Sequence, residues 1–312
     1  MTTKRGIALL LASLVACSGD PSGRVDAGPG DDATRRDGAR DLDRDASILA
    51  DADANADAAT PDLQAADQFV GPLSLRVMAA NLTSGNGQSY TPGHGARIMQ
   101  AFAPDLVLIQ ELNYGDDSEA DIDRFVADTF GPAYSYYREA GSIPNGVISR
   151  FPIVDAGEWN DPEVSNRDFA WARIDLPGPR DLWAVSVHLL SSNSSERVAE
   201  ARALIGYLRQ QVPADALLVL GGDLNTDSRN EGCVVELRDR FEIASPYPAD
   251  QDGNGNTSAS RSKPLDWLVA SAALDRAEVP LVVGQNSFSD GLVFDSRVYQ
   301  PLSDLPPVLE DD

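Results

Sequence analysis

The sequence predicts an α/β sandwich, in which two packed β-sheets carry helices on their outer faces and so form four layers. Short apolar runs rich in β-branched residues, such as LVLIQEL at 106–112 and ALLVLGGDLNT at 216–226, indicate buried strands. Segments with apolar residues at helical spacing lie between several of these runs. Helices between buried strands cover the outer faces of the sheets, which gives the sandwich.

The predicted elements follow one another from residue 73 to residue 299. In order they are strand 73–81, helix 95–105, strand 106–112, helix 121–130, the strand-like runs YSYYREA, NGVISRFPIVDAGEW, FAWARIDL and LWAVSVHLL, helix 194–212, and strands 216–226, 264–271, 279–284 and 291–299. The four consecutive strand-like runs have no helix between them, which predicts sheets that are mainly antiparallel. Ser194 or Ser195 is the expected N-cap of helix 194–212.

The first 17 residues, MTTKRGIALLLASLVAC, have the pattern of a secretory signal. Lys4 and Arg5 precede an apolar run that is too short to cross a bilayer. The ending Leu-Val-Ala-Cys resembles the lipobox of bacterial lipoproteins, in which the cysteine is acylated and becomes the first residue. Cys17 is therefore the expected lipid anchor, and an ordinary signal peptide is the alternative. We expect an exported protein of the bacterial cell envelope (outer membrane, periplasm or cell surface), or otherwise a secreted one.

Residues 18–67 differ sharply in composition from the rest of the chain. They contain 13 aspartates and five arginines but no aromatic residue, and they show no apolar periodicity. Such a segment buries too little apolar surface to offset the entropy of ordering, so it predicts a disordered linker. Residues 68–312 are long enough for one sizeable domain. Cys233 then has no disulfide partner if Cys17 is lipidated, and it is expected to be a small buried apolar residue.

Polar residues close several of the predicted strands. They are Asn81, Glu111, His188, Asp223, Asn225 and Asp266. Burying such groups at the ends of apolar strands requires partners that offset their desolvation. Each one alone is typical of a cap or a turn, but together they predict an oxygen-rich cation site with one imidazole.

Six motifs in consistent order, MAANL, LIQEL, NGVISRFPI, SVHLLSS, LGGDLNT and LDWLVAS, resemble those of the endonuclease/exonuclease/phosphatase superfamily. The resemblance runs from about Leu73 to Ser271 and implies a DNase I-like fold. It also implies attack of a water molecule on a phosphate ester, assisted by a metal ion.

The resemblance implies a role for each matching residue. Glu111 corresponds to the metal-binding glutamate, and Asn81 supports the metal and the phosphate. Mg²⁺ or Mn²⁺ suits these oxygen ligands, and Ca²⁺ is a third candidate. Asp223 corresponds to the aspartate that orients or deprotonates the attacking water. The amide of Asn225 corresponds to one that steadies the phosphate.

His188 corresponds to the histidine that donates a hydrogen bond to a phosphoryl oxygen, and Asp266 to the aspartate that orients a second histidine. Aligning SDLPPV with the family pattern SDHxPV puts Leu305 at the position of that second histidine. Asp304 would then lie beside a side chain that can neither donate a proton nor form a hydrogen bond. A second alignment treats VLEDD as the beginning of an acidic loop that precedes the histidine and a last strand. On this alignment, which we favour, the last strand and the base lie beyond residue 312 and Asp304 lies in a linker.

Further candidates for contacts with the substrate phosphate are Thr257, Arg261 and Lys263, which precede Asp266, and Asn166 and Arg167, which precede a strand. A salt bridge to a neighbouring group is the alternative for Asn166 and Arg167. Residues 250–261 begin like a calcium loop, but Arg261 stands where an EF-hand needs a glutamate, which favours a turn-rich loop. His94 is expected to be a surface or capping residue.

The formal net charge of −24 argues against a protein that coats polynucleotides. The leading hypothesis is an exported, membrane-anchored, metal-dependent phosphodiester hydrolase that acts as a monomer on a nucleic acid, a sugar phosphate or a lipid headgroup. The competing hypothesis is a surface binding module that retains the fold without catalysis, because the second histidine is absent.

Overall fold

The computed structural model describes residues 73–82, 90 and 93–312, together with the backbone of residues 6–12. The predictions for Cys17 and for the linker at 18–67 concern residues outside this part of the chain. None of the helices in the described part combines the length and the apolar character that a membrane span requires.

Strands and helices alternate along most of the chain. The strands are β1 (Gly6–Ala12), β2 (Ser74–Asn81), β3 (Leu106–Gln110), β4 (Ser135–Arg138), β5 (Gly146–Ser149), β6 (Ile153–Trp159), β7 (Phe169–Ile174), β8 (Leu182–His188), β9 (Leu217–Asp223), β10 (Asp266–Ala270), β11 (Leu281–Val283), β12 (Asn286–Phe288) and β13 (Leu292–Phe294). The helices are α1 (His94–Phe102), α2 (Glu119–Phe130), α3 (Ser194–Gln211), α4 (Gly232–Leu237) and α5 (Ala272–Asp275), and a 3₁₀ turn spans Leu302–Asp304.

The first sheet has six strands in the order β13-β1-β2-β3-β5-β4. The three pairs from β13 to β3 are parallel, whereas β5 runs antiparallel to both β3 and β4. The prediction of mainly antiparallel sheets therefore does not hold for this sheet. Helix α1 connects β2 to β3, and a crossover of this kind returns the chain in the same direction.

The second sheet has five strands in the order β10-β9-β8-β7-β6. Only the β8–β9 pair is parallel, because α3 connects these two strands; the other pairs are antiparallel as predicted. Strand β1, from the segment interpreted as a signal peptide, lies between β2 and β13 of the first sheet. The signal-peptide interpretation itself stays a prediction.

Three apolar clusters lie between the four layers and confirm the predicted sandwich. Leu75, Val77 and Ala79 of β2 face the second sheet, whereas Met78 and Ala80 face α1 and α2. Alternation with a period of two thus places one face of the strand between the sheets and the other under the helices. A third cluster packs α3 and α4 on the outer face of the second sheet.

The cap of α3 differs from the prediction. Asn193 is the N-cap, and its side chain accepts hydrogen bonds from the backbone N–H groups of Ser195 and Glu196. The amide oxygen of asparagine is well suited to this position, so the helix begins one residue after it. Cys233 is fully buried in the outer cluster of the second sheet, as expected, and this burial raises the pKa of its thiol to about 12.

Candidate functional site

Four strands end and a fifth begins at one edge of the sandwich, where they carry the predicted polar residues. Asn81 is the last residue of β2, His188 of β8 and Asp223 of β9, and Glu111 directly follows β3. His188 and Asp223 are register partners across the parallel β8–β9 pair. Asp266 begins β10, which runs antiparallel to β9, so it is also a register partner of Asp223.

The site spans the two sheets, which approach each other closely beneath it. At Gly221 of β9, an added Cβ would lie 2.9 Å from the Cβ of Ala79 in the first sheet. The two sheets are also joined by a hydrogen bond of 2.9 Å from Nε2 of Gln110 to the hydroxyl of Ser186. Ser186 in turn donates to the backbone carbonyl of Ile109 at 2.8 Å. These contacts bring Asn81 and Glu111 of one sheet against His188 and Asp223 of the other.

Two site residues have a left-handed backbone. Glu111 has φ 53° and Asn225 has φ 52°, a region that costs free energy for residues other than glycine. Both positions lie directly after a strand, where the left-handed conformation turns the chain at the edge of the sheet. Strain of this kind is concentrated at functional sites, because surrounding contacts must hold it in place.

Asn81, Glu111, His188 and Asp223 form a compact buried group. The side-chain nitrogen of Asn81 donates to Oε1 of Glu111 at 3.1 Å and to Oδ2 of Asp223 at 3.3 Å. Nδ1 of His188 lies 3.8 Å from the same oxygen of Glu111, and its Nε2 lies 3.8 Å from Oδ2 of Asp223. Each of the four side chains is exposed to 8% or less of its area.

This donor set fits a hard divalent cation. The carboxylates of Glu111 and Asp223 lie on either side of one amide nitrogen of Asn81. Two carboxylates buried this close together repel each other, and a bound cation would offset that repulsion. Oxygen ligands of this type are the ones that Mg²⁺ and Mn²⁺ prefer.

Asn225 is held by two hydrogen bonds, one from its backbone and one from its side chain. Its backbone N–H donates to Oδ1 of Asp223 at 2.8 Å, and its side-chain amide donates to the carbonyl oxygen of Leu189 at 2.9 Å. The first bond leaves Oδ2 of Asp223 as the oxygen that faces Asn81 and His188. The turn after β9 therefore orients both side chains.

Another group with metal-ligand chemistry lies at the start of α1. Ligand atoms of His94, Asp311 and Asp312 all lie within 4.8 Å of one another. Nε of Arg97 donates to both carboxylate oxygens of Asp312, at 3.0 and 2.9 Å, and Nδ1 of His94 lies 2.8 Å from one of them. Burial opposes ionisation of Asp312, but the hydrogen bonds from Arg97, Leu309 and His94 lower its pKa. The guanidinium of Arg97 thus provides a positive charge next to these carboxylates.

Asp266 lies at the edge of the site, beside a small cavity. Its backbone N–H donates to the hydroxyl of Thr257 at 2.8 Å, so this threonine supports the start of β10. A cavity of about 70 Å³ next to Asp266 is lined in part by Arg229, Tyr247 and Trp267. Lys263, predicted as a phosphate contact, forms an ion pair of 2.5 Å with Asp227 at the surface.

The structure places Arg261 inside its own loop. Its guanidinium donates to the carboxylate of Asp250 at 2.5 Å and to the carbonyl oxygens of Asn254 and Asn256. Nε lies 3.5 Å from the carboxylate of Asp295. Residues 250–261 are therefore organised around the arginine, as a turn-rich loop. The contact of Arg261 with a substrate phosphate stays a prediction, and in this structure the guanidinium is paired with these groups of the protein.

Arg167 is also directed into the protein. It is 2% exposed, and its guanidinium donates to the backbone carbonyls of His188 and Leu189, to the latter at 3.1 Å. Its neighbour Asn166 is half-buried and accepts from Arg167 at 3.3 Å. Arg167 thus supports the segment that carries His188, and its contact with the substrate phosphate stays a prediction.

Asp304 and Leu305 of the SDL sequence contact Tyr299, Gly284 and an apolar cluster. Leu305 is 3% exposed and belongs to the apolar cluster under α1 and α2. Asp304 accepts a hydrogen bond of 3.4 Å from the hydroxyl of Tyr299, and its carboxylate lies against Gly284. This position gives Leu305 a role in packing.

Sequence reasoning missed the polar contacts that lie beneath the site. Glu200 and Arg197 are fully buried on the inner face of α3, and Asp161 is buried beside them in the loop after β6. The signal was present in the predicted helix, since both charged residues share the face that carries Ala201, Leu204 and Leu208. Charged groups on an apolar helix face require buried partners.

Several solved structures are similar to part of this chain. No curated protein matches the sequence. Among solved structures, sphingomyelinase C from Streptomyces griseocarneus is 20% identical, with a TM-score of 0.48 over 69% of this chain and 95% of that chain. An endonuclease/exonuclease/phosphatase from Bacteroides vulgatus is 14% identical, with a TM-score of 0.49 over 64% and 87%. D. rerio TDP2, humanized by 14 mutations, is 17% identical, with a TM-score of 0.46 over 63% and 83%.

The family assignment rests on the sequence itself. The model of the Endonuclease/Exonuclease/phosphatase family matches residues 96–290, which is more than half of the chain. This match covers Glu111, His188, Asp223, Asn225 and Asp266 and confirms the resemblance that the motifs indicated. It supports phosphoester hydrolysis as the general reaction. The chain belongs to the Endonuclease/Exonuclease/phosphatase family.

Proposed function

We propose that the protein is a divalent-metal-dependent phosphodiester hydrolase that is exported and anchored to a membrane through Cys17. The observation that carries the catalytic part is the buried group of Asn81, Glu111, His188 and Asp223, which brings polar atoms from two sheets within 3.1–3.8 Å of one another. Buried carboxylates and an imidazole in a common group are typical of catalytic sites.

The side chains suggest a division of the chemistry. Glu111, with Asn81, would hold the metal ion, which supplies positive charge for the phosphoryl oxygens and the leaving group. Asp223 would orient and deprotonate the water that attacks phosphorus, because its Oδ1 is held by the N–H of Asn225 and its Oδ2 faces into the site. His188 would donate a hydrogen bond to a phosphoryl oxygen as negative charge builds on it.

The overall charge of the protein favours some classes of substrate over others. With a net charge of −24, the protein repels long polyanions at low ionic strength, which disfavours polymeric DNA. We therefore propose small phosphodiesters or lipid headgroups as substrates. The lipid anchor proposed at Cys17 would place the enzyme near the headgroups of a membrane.

Hydrolysis of bis-p-nitrophenyl phosphate by the full-length chain tests this proposal. We expect activity that EDTA removes and that Mg²⁺ or Mn²⁺ restores. Asp223→Asn should lower kcat by about 10² to 10⁴, the usual contribution of a general base. Asp239→Asn is the matched control, because this exposed carboxylate pairs with Arg209 at the surface and should leave kcat unchanged. A full-length chain that is inert towards this substrate, phospholipid and nucleic acid would instead support the binding module.

A further inference from the structure

Residues 188–191 comprise the last residue of β8 and the turn after it. They are held by a backbone hydrogen bond of 2.9 Å from the N–H of Leu189 to the carbonyl of Asp223 and by several side chains from elsewhere. Arg167 donates to the carbonyls of His188 and Leu189, and the latter also accepts from the side chain of Asn225. The N–H of Leu190 donates to both carboxyl oxygens of Glu200, at 3.0 Å each. Nη1 of Arg197 donates to the carbonyls of Leu190 and Ser191, at 3.0 and 3.1 Å. These side-chain contacts add to the pairing of β8 with β9, which places His188 opposite Asp223.

Glu200 and Asp161 form a pair of buried carboxyl groups next to Arg167. Glu200 is 0% exposed and Asp161 is 3% exposed, and each carboxyl is near enough to the other to influence its pKa. Oδ1 of Asp161 accepts from the backbone of Glu163 at 3.0 Å. When both carboxyls are ionised, the buried Oδ2 of Asp161 accepts no hydrogen bond from any of the described residues. A proton held between the two carboxyls would supply that missing donor.

We propose that Asp161, Arg167 and Glu200 are positioning residues for the hydrolytic site, and that Asp161 and Glu200 act as a pair with one shared proton. In this arrangement the pair carries one negative charge, which the guanidinium of Arg167 balances. Arg167 can then fix the carbonyls of His188 and Leu189, and through Leu189 it also fixes Asn225. We call Asp161, Arg167 and Glu200, with their contacts to residues 188–191, the positioning network. Its effect on catalysis rests on the proposed function, whereas its geometry does not.

The charged groups around Glu200 decide what happens when the shared proton is lost. Asp161 and Arg167 face Glu200 from the loop between β6 and β7, and Asp168 of the same loop faces Asp161. On α3 itself, Arg197 donates to the carbonyl of Leu190, but its charge is paired with Glu231 at 2.6 Å.

Burial and the neighbouring charge of Asp161 raise the pKa of Glu200 to about 8. Above that pH two buried carboxylates would face one guanidinium, and Oδ2 of Asp161 would lose its donor. The segment 188–191 should then shift, and His188 should move out of register with Asp223.

Kinetics of three variants of the full-length chain test the inference with bis-p-nitrophenyl phosphate. Wild-type kcat should fall about tenfold above pH 8, whereas Glu200→Gln, which mimics the protonated carboxyl, should keep kcat within about threefold across this range. Arg167→Lys should lower kcat by about 10- to 100-fold with KM nearly unchanged, as expected for a displaced catalytic group. Glu236→Gln, the same chemical change at a surface residue paired with Arg202 of α3, should leave both the profile and kcat unaltered.

The histidines provide a readout that does not require activity. The chain has only two, so imidazole NMR signals can be assigned with a His94→Gln variant. The signal of His188 in the wild type should change near pH 8, and this change should be absent in Glu200→Gln. If the wild type hydrolyses no phosphoester but its His188 signal still changes near pH 8, the proposed function is refuted and the positioning network is supported.

Two results would overturn the positioning network. One is an alkaline decline in kcat, or an NMR change of His188, that is the same in Glu200→Gln and in the wild type. The other is an Arg167→Lys protein that folds, as judged by thermal unfolding, and retains wild-type kcat. If Arg167→Lys does not fold, the comparison of Glu200→Gln with Glu236→Gln decides the question alone.

Discussion

Gly221 lies where the two sheets pack closely beneath the site, and replacing it with alanine tests both the packing and the catalytic geometry. An added Cβ would lie 2.8 Å from Cδ1 of Leu108, 2.9 Å from the Cβ of Ala79 and 3.1 Å from Cδ1 of Leu268. The leucine methyl groups can rotate away, but the Cβ of Ala79 is fixed to the backbone of β2. The sheets would therefore have to separate by a few tenths of an ångström.

The size of the effect follows from the costs of overpacking. Inserting a methyl group into a filled core costs about 1–3 kcal/mol of unfolding free energy. For a domain of this size, each kcal/mol lowers Tm by about 2–4 °C, so a decrease of about 2–12 °C is expected. Asn81 and Glu111 lie on one side of the gap and His188 and Asp223 on the other. A small separation should therefore also lower kcat, by about tenfold.

Thermal unfolding and steady-state kinetics of Gly221→Ala measure both effects. Gly206→Ala is the matched control, because a Cβ there meets nothing within 4 Å and alanine stabilises a helix interior by about 0.5–1 kcal/mol. Adding Ala79→Gly to Gly221→Ala should recover part of the lost stability, with a coupling of about 0.5–3 kcal/mol. If Gly221→Ala unfolds at the wild-type temperature, or if the two changes are simply additive, the packing argument is refuted.

Two further predictions concern a buried acid and the N-terminus. Burial raises the pKa of Glu139 to about 8 from an ordinary value of 4.5, although its carboxylate accepts from the backbone of Asn145 at 2.6 Å. The folded state therefore binds more protons than the unfolded state between these pH values, and the unfolding free energy of the wild type should fall as pH rises from 4.5 to 8, by at most about 5 kcal/mol. Glu139→Gln should show a smaller fall than the wild type in denaturant titrations, because Glu200, whose pKa is also raised to about 8, still contributes to the fall. An equal fall in both proteins would contradict the prediction. At the N-terminus, mass spectrometry of the envelope protein should find an acylated Cys17 as the first residue, and Cys17→Ser should abolish the modification. Because β1 pairs with both β2 and β13, the processed chain should also unfold at a lower temperature than the unprocessed one. A mature chain that retains Met1 would contradict the export proposal.

The order and the type of most elements could be predicted from local patterns. Strand β2, for example, alternates between the inter-sheet cluster and the helix-facing cluster, which is the signal that identified it as a strand. The parallel pairs β1–β2 and β1–β13 could not be predicted, because pairing between distant segments leaves no trace in the local period. The cap of α3 was misplaced among neighbouring residues that all have side chains able to cap, Asn193, Ser194 and Ser195.

The residues of the candidate site could be predicted where a polar side chain lies at the end of an apolar strand. Asn81, Glu111, His188 and Asp223 each lie at the end of an apolar strand, and the structure brings them together because the strands end at one edge. The directions of the arginine side chains were not predictable. Arg167 and Arg261 occur in polar loops, which suggested contact with solvent or substrate, but both are directed into the protein.

The sequence alone determined the layers, the strand-end residues and the family. These depend on local periodicity and on motifs, which are properties of short stretches of chain. Only the tertiary structure decided which buried polar groups are partners, as for Glu200 with Asp161 and Arg167 with the carbonyl of Leu189. The physical reason is that a buried charge must find a compensating group, and that group is chosen by proximity in space, which the order of residues along the chain does not specify.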